Sequence, residues 1–559
     1  MALESLGVRG TAFVWAFARA LPAAGGAIVI STAIMAAFRL PSSTLPLILA
    51  ATGALLFYLF RRLRIVGDAS SLTGWEWAFL LYSALIGVVR LLPFIHQHAF
   101  GQLSAAAIWD DNWHFQELAS LINSETFPPV LNYEPTSYFH YYYLPWIPAA
   151  ALSDLLRAVT GHIFLKLTFG LDALLLDFSV GVLVILFLRH LLAPAQRPLA
   201  LLAVLLAGAV PDGLYSIWKI AKGILSHSEW WQPLVGGINQ YSAWTTLLIW
   251  VPQHMISAGA ILLGLVILTE PSTLAPRRSL LSSIAAGVVA SFALYSSIFV
   301  CVGAFIALVP LLWRWRVPPV LVVAFVATTA IVSLPLAYIY LGANAATALY
   351  GEAFDLWHGR FGSLAMGVVG VAANIVFMLA EIGWLVLHAA IMARKHPADR
   401  SVLATLAASS FVFLLITVFL SYPEANQFAF RGSIVPTVLI CCYCAQQLER
   451  TRAADLGRQN GWHRYASTAI GIGVVALGGA AHLNELANWS RDSVTATTYA
   501  LETRECKELV MKVNTSSGYL ADVSPLSQCR DKYIWYNIER LFTKPTLSAA
   551  DRQLRGRQP

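Results

Sequence analysis

The sequence is poor in charge. Asp, Glu, Lys and Arg make up only 12% of its 559 residues, about half the share found in ordinary soluble domains. Hydrophobic residues make up 58%, and the mean hydropathy is +0.65. No soluble core hides so much apolar sequence, so soluble, fibrous and disordered classes are excluded. A membrane protein with many spans remains.

Cysteine is scarce too, with six residues in the whole chain. Four lie within predicted spans and are interpreted as packing thiols: Cys301, Cys441, Cys442 and Cys444. Cys506 and Cys529 lie in the polar tail, where two extracytoplasmic cysteines can pair. So few cysteines exclude a disulfide-scaffold protein.

Apolar runs of bilayer-spanning length, roughly 20 residues each, recur along most of the chain. We predict an all-α polytopic bundle of about 13 transmembrane helices in residues 1–482 and a small extracytoplasmic segment at 483–559. The predicted spans are 22–38, 44–60, 75–94, 163–188, 198–216, 244–268, 279–295, 297–313, 318–341, 363–391, 402–420, 432–448 and 466–482. Residues 138–160 read equally well as a span or as an interfacial or re-entrant segment.

The formal net charge of +7 comes from short basic clusters between the apolar runs rather than from one basic face, which argues against nucleic-acid binding. The clusters follow alternate spans and comprise Arg61, Arg62, Arg64, Arg277, Arg278, Arg314, Arg316, Arg394, Lys395, Arg450, Arg452, Arg458 and Arg464. The positive-inside rule then puts the N-terminus in the cytoplasm and the long loops, beginning with 95–137, outside.

The first outer loop contains the densest set of reactive side chains, in the run from Trp109 to Glu117. On a helix, Asp110, His114 and Glu117 follow an i, i+4, i+7 spacing and share one face. We predict a helix on the membrane surface, with one carboxylate as a general base whose pKa is raised by its neighbour. The alternative is that Asp110 or Asp111 only caps this helix.

An aromatic run follows, from Tyr138 to Pro145, and includes His140 and Tyr141. These rings suit stacking on sugars, and His140 suits donation to a phosphate. They are equally typical of the aromatic belt at a membrane surface.

Two cations lie on the side that the positive-inside rule disfavours. Arg431 is the last residue of the outer loop at 421–431, and Lys222 lies in the loop at 212–243. Arg431 suits bidentate phosphate binding, whereas a snorkelling or topology-balancing Arg is the alternative. Lys222 is read first as a solvated charge on an interfacial helix.

Three acids lie within predicted spans: Asp172, Asp177 and Glu381. A charge at that depth costs about 2.5–3.5 kcal/mol on insertion scales, so it marks either an ion path or a structural pair. No matching series of cations is evident, so structural pairing is the favoured interpretation.

An acidic pair in the first outer loop, a surface helix and a His-Tyr-rich entry to the next membrane segment resemble the GT-C superfamily of membrane glycosyltransferases. The closest likeness is to bacterial enzymes that use polyprenyl-phosphate sugars. The loop from Ser421 to Ser433 resembles a polar loop with Asn and Arg before a late span in bacterial relatives. The short tail departs from the large soluble domain common in that family.

The resemblance implies transfer of a sugar from a polyprenyl-phosphate donor to a cell-envelope glycan, lipid or protein acceptor, with inversion, at the outer face of the bacterial inner membrane. Asp110 or Asp111 would activate the acceptor hydroxyl. The residues that would bind substrate or the donor phosphate are His114, Glu117, His140, Tyr141, Arg431 and Lys222. The resemblance fixes no cofactor, and a divalent Mg²⁺ or Mn²⁺ ion held by Asp110 and His114 stays an open alternative.

Two other functions stay open. A polysaccharide polymerase or ligase also has many spans and handles lipid-linked glycans, with outer-loop Arg and His side chains in the main roles. A transporter or flippase of lipid-linked glycans would instead depend on the acids within the spans.

Overall fold

In the residues that it describes, the regular secondary structure of the computed structural model is helical apart from one pair of two-residue strands. It describes residues 2–61, 63, 70–100, 114, 118, 121–122, 124, 127–129, 143–161, 164–224, 241–269, 276–314, 318–340, 355–356, 372, 375–385, 387, 391, 402–421, 427–455 and 461–494. The tail cysteines Cys506 and Cys529, and all of 495–559, lie outside these residues.

The first half of the chain forms nine described α-helices: α1 Ala2–Ala37, α2 Leu45–Phe60, α3 Gly74–Phe100, α4 Ile147–Thr160, α5 Leu165–Leu191, α6 Arg197–Leu206, α7 Ala209–Ala221, α8 Trp244–Trp250 and α9 Pro252–Thr269. The second half adds α10 Pro276–Ser296, α11 Ile298–Arg314, α12 Pro319–Tyr340, α13 Val402–Phe419, α14 Gln427–Phe430, α15 Ile434–Asp455 and α16 Gly461–Val494. Strands β1 Asp355–Leu356 and β2 Leu420–Ser421 pair antiparallel, and Leu379–Gly383 is a π-helix.

Six of the described helices are long and apolar enough to cross a membrane, in α1, α2, α3, α5, α9 and α12. A seventh span forms if α6 and α7, which meet at a 49° bend, are counted as one. The chain is therefore a helical, multi-pass membrane protein by helix length and composition. The total of about 13 spans stays a prediction.

The bundle has central and peripheral helices. In the apolar windows of α5 and α9, 78% and 83% of the residues are buried, whereas in α2 and α12 only 17% and 11% are. Helices that expose apolar side chains on nearly every face need a hydrocarbon solvent. We therefore place α2 and α12 against lipid, and α5 and α9 in the protein interior.

At one end of the bundle, the start of α3 meets the end of α5. Thr73 and Glu76 form a capping box, in which the Glu76 carboxylate accepts from the Thr73 backbone N–H at 2.7 Å and the Glu76 N–H donates to the Thr73 hydroxyl. Arg189 donates to both oxygens of the same carboxylate at 2.7 Å. Because Arg90 and Asp177 pair further along, α3 and α5 are antiparallel.

The 38–44 turn between α1 and α2 lies at the opposite end. The Ser42 hydroxyl donates to the carbonyl of Ser124, and the backbone N–H of Phe127 donates to the carbonyl of Leu40 at 3.1 Å. The loop after α3 therefore packs on this turn. We call this the loop end of the bundle, and the end with Arg189 the basic end.

The structure decides the open segment at 138–160 for its described part. Helix α4 has 14 residues, or about 21 Å of length, which is too short for an apolar core about 30 Å thick. It ends at Gly161, whose φ of +73° suits glycine. Since α3 arrives at the loop end and α5 leaves from it, residues 143–161 do not cross the membrane.

The prediction of one continuous span at 244–268 is wrong. The helix breaks at Val251, whose φ of −136° and ψ of 51° are not helical, and the next residue, Pro252, has no N–H for a preceding turn. The ring of Trp244 lies 5.3 Å from that of Phe79, and the hydroxyl of Thr245 lies 2.6 Å from that of Tyr82. Helix α8 thus runs in the direction of α3.

Helix α9 runs the other way. A Cβ at Gly259 would contact the side chain of Leu183, and Thr269 hydrogen-bonds His190 near the basic end. Helix α9 is therefore parallel to α5 and antiparallel to α8. The chain therefore turns back at Val251. The sequence predicts a single helix here because both half-helices face apolar neighbours, which makes the whole segment continuously apolar.

Candidate functional site

Six charged or imidazole side chains from five parts of the chain are buried together between the central helices. We call them the central cluster: Arg90, His114, Asp172, Asp177, His254 and Arg431. Buried ionisable groups in an apolar bundle are costly and generally serve a function or pair with one another. The central cluster is therefore the candidate site.

An ion pair anchors one side of the cluster. The guanidinium of Arg90 lies 3.3 Å from Oδ1 of Asp177, and both side chains are almost fully buried. Asp172, on the same helix as Asp177, accepts a hydrogen bond from the backbone of Ala149 and lies within the field of Arg90. Asp177 thus has the structural partner that the sequence analysis favours.

His114 lies in the described part of the first loop. Residues 114, 118, 121 and 122 are helical and all four side chains are buried. Leu118 and Ile122 are fully or almost fully buried. His114 belongs to the same buried face instead of facing a membrane surface.

The environment of His114 keeps its ring neutral. Burial, followed by the positive charges of Arg90 and Arg431, lowers the pKa of His114 to about 3, while a hydrogen bond to the backbone of Trp250 opposes the shift. Because this contact with Trp250 favours the protonated ring, it is one in which the ring N–H of His114 donates to the Trp250 carbonyl. The His114 ring also packs against Trp146, with 5.0 Å between the centroids.

Arg431 lies in the turn between α14 and α15 and is 7% exposed. Its guanidinium carbon is 5.9 Å from the ring centroid of Phe430 and 6.0 Å from that of Phe299. A Cβ at Gly303 would overlap the carbonyl oxygen of Gly432. Helix α11 therefore presses directly on the backbone beside Arg431 and holds this turn in place.

His254 lies in the first turn of α9 and interacts electrostatically with both Arg431 and His114. The start of an α-helix carries partial positive charge. Helix α9 has 18 residues, and its N-terminus faces the cluster through His254. The arrangement gathers donors and positive charge, as anion sites require.

An apolar cavity, open to its surroundings, lies beside the turn that carries Arg431. It is lined by Val204, Ala207, Gly208, Tyr241, Ser242, Trp244, Leu247, Ile382, Phe430, Ser433, Ile434, Thr437 and Val438. Phe430 lines the cavity and directly precedes Arg431 in the chain.

The structure brings two of the predicted site residues together. His114 and Arg431 are 317 residues apart in sequence but interact electrostatically in the central cluster. Lys222 does not join them by any described contact: it is exposed, and its ammonium lies 4.1 Å from the ring centroid of Trp218.

The remaining predicted site residues lie outside the described part of the chain: Asp110, Asp111, Glu117, His140 and Tyr141. The suggested metal pair of Asp110 and His114 is therefore described for His114 alone. Within the described ranges, no three His, Cys, Asp or Glu side chains are grouped to hold a metal ion.

Sequence reasoning missed Arg90 and His254. Arg90 lies within the predicted span 75–94, and counting basic as well as acidic residues inside spans would have found it. His254 carried no such signal, because a neutral histidine in an apolar helix is ordinary. Its proximity to Arg431 arises only from the packing of α9 against the turn before α15.

Comparisons with known proteins add no assignment. Neither the family models, nor the curated proteins, nor the solved structures contain a match to this chain.

Proposed function

We propose that this protein is a membrane glycosyltransferase that moves a sugar from a polyprenyl-phosphate donor to a cell-envelope glycan, lipid or protein acceptor. The observation that carries the proposal is that Arg431 interacts with both buried histidines and directly follows Phe430, which lines the apolar cavity. A lipid phosphate needs both features, since its headgroup is anionic and its tail is apolar.

The hydrogen-bond donors of the central cluster suit the binding of a phosphate. A guanidinium binds phosphate oxygens bidentately, and Arg431 lies one residue from the cavity wall. His114 is neutral at physiological pH because its pKa is low, so it contributes hydrogen bonding without adding charge. The N-terminus of α9 adds positive potential from its backbone.

The chemistry follows from the resemblance to the GT-C superfamily. The carboxylate of Asp110 or Asp111 takes the proton of the acceptor hydroxyl, whose oxygen attacks the anomeric carbon from the face opposite the phosphate. The new C–O bond forms as the bond to the phosphate oxygen breaks, and the anomeric centre inverts. The phosphate leaves with the electron pair, and Arg431 stabilises its added charge.

The charges at the two ends support an orientation. Arg189 and Arg197 lie at the basic end, close to Glu76, together with Arg61 at the end of α2. By the positive-inside rule this end faces the cytoplasm. The loop end and the C-terminal segment then face outward from a bacterial inner membrane, where polyprenyl-linked donors and envelope acceptors meet.

Purified protein incubated with labelled polyprenyl-phosphate sugars and envelope acceptors tests the proposal. We expect label to leave the lipid, and Arg431→Gln to lower kcat/KM for the donor by about 10- to 100-fold, as the loss of charge-assisted hydrogen bonds implies. Arg39→Gln is the matched control, because Arg39 is exposed on the 38–44 turn at the loop end and should leave the rate unchanged.

The same assay separates the other functions. Activity that survives Asp110→Asn and Asp111→Asn but not Arg431→Gln would indicate a polymerase or ligase. A flippase would transfer no label. It would instead move the intact lipid-linked glycan across the membrane, and Asp172→Asn would abolish that movement.

A further inference from the structure

Trp250 connects the central cluster to the last helix. Its indole N–H donates to Oε1 of Glu485 on α16 at 2.8 Å. Its backbone accepts the hydrogen bond from the His114 ring. The side chain and the main chain of one residue thus hold groups that are 371 residues apart in sequence.

The break after α8 makes the carbonyl of Trp250 available to His114. The last carbonyls of a helix have no partner inside it. In the next turn, the N–H groups of His254 and Met255 both donate to the carbonyl of Val251. The hydrogen bonds of α9 therefore begin at the carbonyl of Val251 and not at that of Trp250. The Trp250 carbonyl is directed to the imidazole of His114 instead.

The indole is held firmly at its other end. Glu485 is 1% exposed, and its carboxylate interacts electrostatically with Lys219 and His482. The rings of Trp250 and Trp489 pack edge to face, with centroids 5.8 Å apart. A buried hydrogen bond to a carboxylate is stronger than a neutral one, so Glu485 restricts the position of Trp250.

We propose that Glu485 is a positioning residue that orients His114 through Trp250. By holding the Trp250 carbonyl in place, it determines which ring nitrogen of His114 carries the proton and directs the lone pair of the other nitrogen. Outer partners of a functional histidine act in this way. The kinetic consequence rests on the proposed function, whereas the structural consequence does not.

The structural test measures N-ethoxycarbonylation of His114 by diethyl pyrocarbonate, with peptide mass spectrometry on the full chain in detergent at pH 7. Wild-type His114 is 2% exposed and should react slowly. Glu485→Leu and Trp250→Phe each remove the indole hydrogen bond, and we expect His114 to react about tenfold faster as the local structure opens more often. Glu485→Gln keeps an acceptor oxygen and should restore protection.

Asn488→Leu is the matched control. Asn488 is buried on α16 one turn from Glu485, and its side-chain amide donates to Asn484. The Asn488→Leu substitution removes a buried hydrogen bond of α16 but keeps the contact between the Trp250 indole and Glu485, so His114 should stay protected. Protection of His114 in Glu485→Leu, or labelling of Glu485→Gln as fast as that of Glu485→Leu, would overturn the proposal.

The kinetic test uses the same variants. We expect Glu485→Leu and Trp250→Phe to lower kcat about tenfold with little change in the donor KM, and Glu485→Gln to keep the wild-type kcat. If the wild-type protein transfers no sugar, the proposed function fails while the labelling result still decides the role of Glu485.

Discussion

Arg90 and Asp177 form an ion pair with 3.3 Å between the guanidinium and the carboxylate, in the interior of the bundle. The two residues lie on adjacent antiparallel helices, and neither side chain has more than 1% of its surface exposed. Each charge makes the other tolerable in an apolar interior, because an unpaired buried ion loses its hydration without compensation.

Removing one member of this pair should therefore cost more than removing both. We expect Asp177→Leu to reduce the free energy of unfolding by about 3–5 kcal/mol, since it leaves a buried cation. The double variant Arg90→Met, Asp177→Leu should recover most of that loss. Thermal unfolding in detergent measures both. Asp154→Asn, a half-buried carboxylate of α4 near Arg157, is the control, and a double variant as unstable as the single would contradict the prediction.

The low pKa of His114 makes stability depend on pH. The folded protein keeps the ring neutral down to about pH 3, whereas an unfolded histidine takes up a proton below about pH 6.5. Protons then favour the unfolded chain, so this contribution is complete above pH 6.5 and is lost as the pH falls toward 3. The slope is at most about 1.4 kcal/mol per pH unit.

The difference in melting temperature between wild type and His114→Gln isolates that contribution, because other titrating groups are common to both. We expect the wild-type advantage to shrink steadily between pH 6.5 and pH 4.5 and to be constant from pH 7 to pH 8. A difference that does not change with pH would show that the ring is not buried in a neutral form.

Gly303 tests the turn that holds Arg431. Alanine there would overlap the carbonyl oxygen of Gly432, so α11 or the turn must shift. We expect Gly303→Ala to cost about 1–3 kcal/mol of stability by overpacking and to weaken binding of polyprenyl phosphate by moving Arg431. Thermal unfolding and ligand binding in detergent measure the two effects.

Gly471→Ala is the matched control, since nothing lies within 4 Å of a Cβ at Gly471 on α16. A helical Gly→Ala change without a clash is neutral or stabilising by up to about 1 kcal/mol. Equal behaviour of the two alanine variants would mean that α11 does not constrain the turn.

Membrane orientation can be tested with single cysteines in a background where Cys506 and Cys529 are replaced by serine. Arg157 on α4 and Arg61 after α2 are both exposed and lie at opposite ends of the bundle. A membrane-impermeant maleimide should label Arg157→Cys in intact cells but Arg61→Cys only after lysis. The reverse pattern would place the central cluster toward the cytoplasm and exclude the proposed reaction with an outer-face donor.

Local sequence predicts most of the individual helices. The predicted span 163–188 is one helix, Leu165–Leu191, and the predicted span 402–420 is the helix Val402–Phe419, because long apolar runs have few alternatives in a bilayer. The prediction of a single span at 244–268 is wrong for the same reason. Both half-helices are apolar, so hydropathy does not reveal that the chain reverses at Val251.

The candidate site was predictable in part. The polar character of His114 and the unusual place of Arg431 single them out in the sequence, and the structure brings them together. Their proximity to Arg90 and His254 was not predictable, because it depends on how α3, α9 and the turn before α15 pack. The roles of His114 and Arg431 in binding stay predictions.

By itself, the sequence determined that this chain is a bundle of membrane helices, because so little charge and so much apolar surface leave no soluble alternative. Only the tertiary structure decided which buried charges pair, where the chain reverses and which cation lies beside a cavity. The physical reason is the sequence distance over which each property is determined. The hydropathy of a span depends on roughly 20 consecutive residues, whereas an ion pair joins side chains that are distant in sequence and that only helix packing brings together.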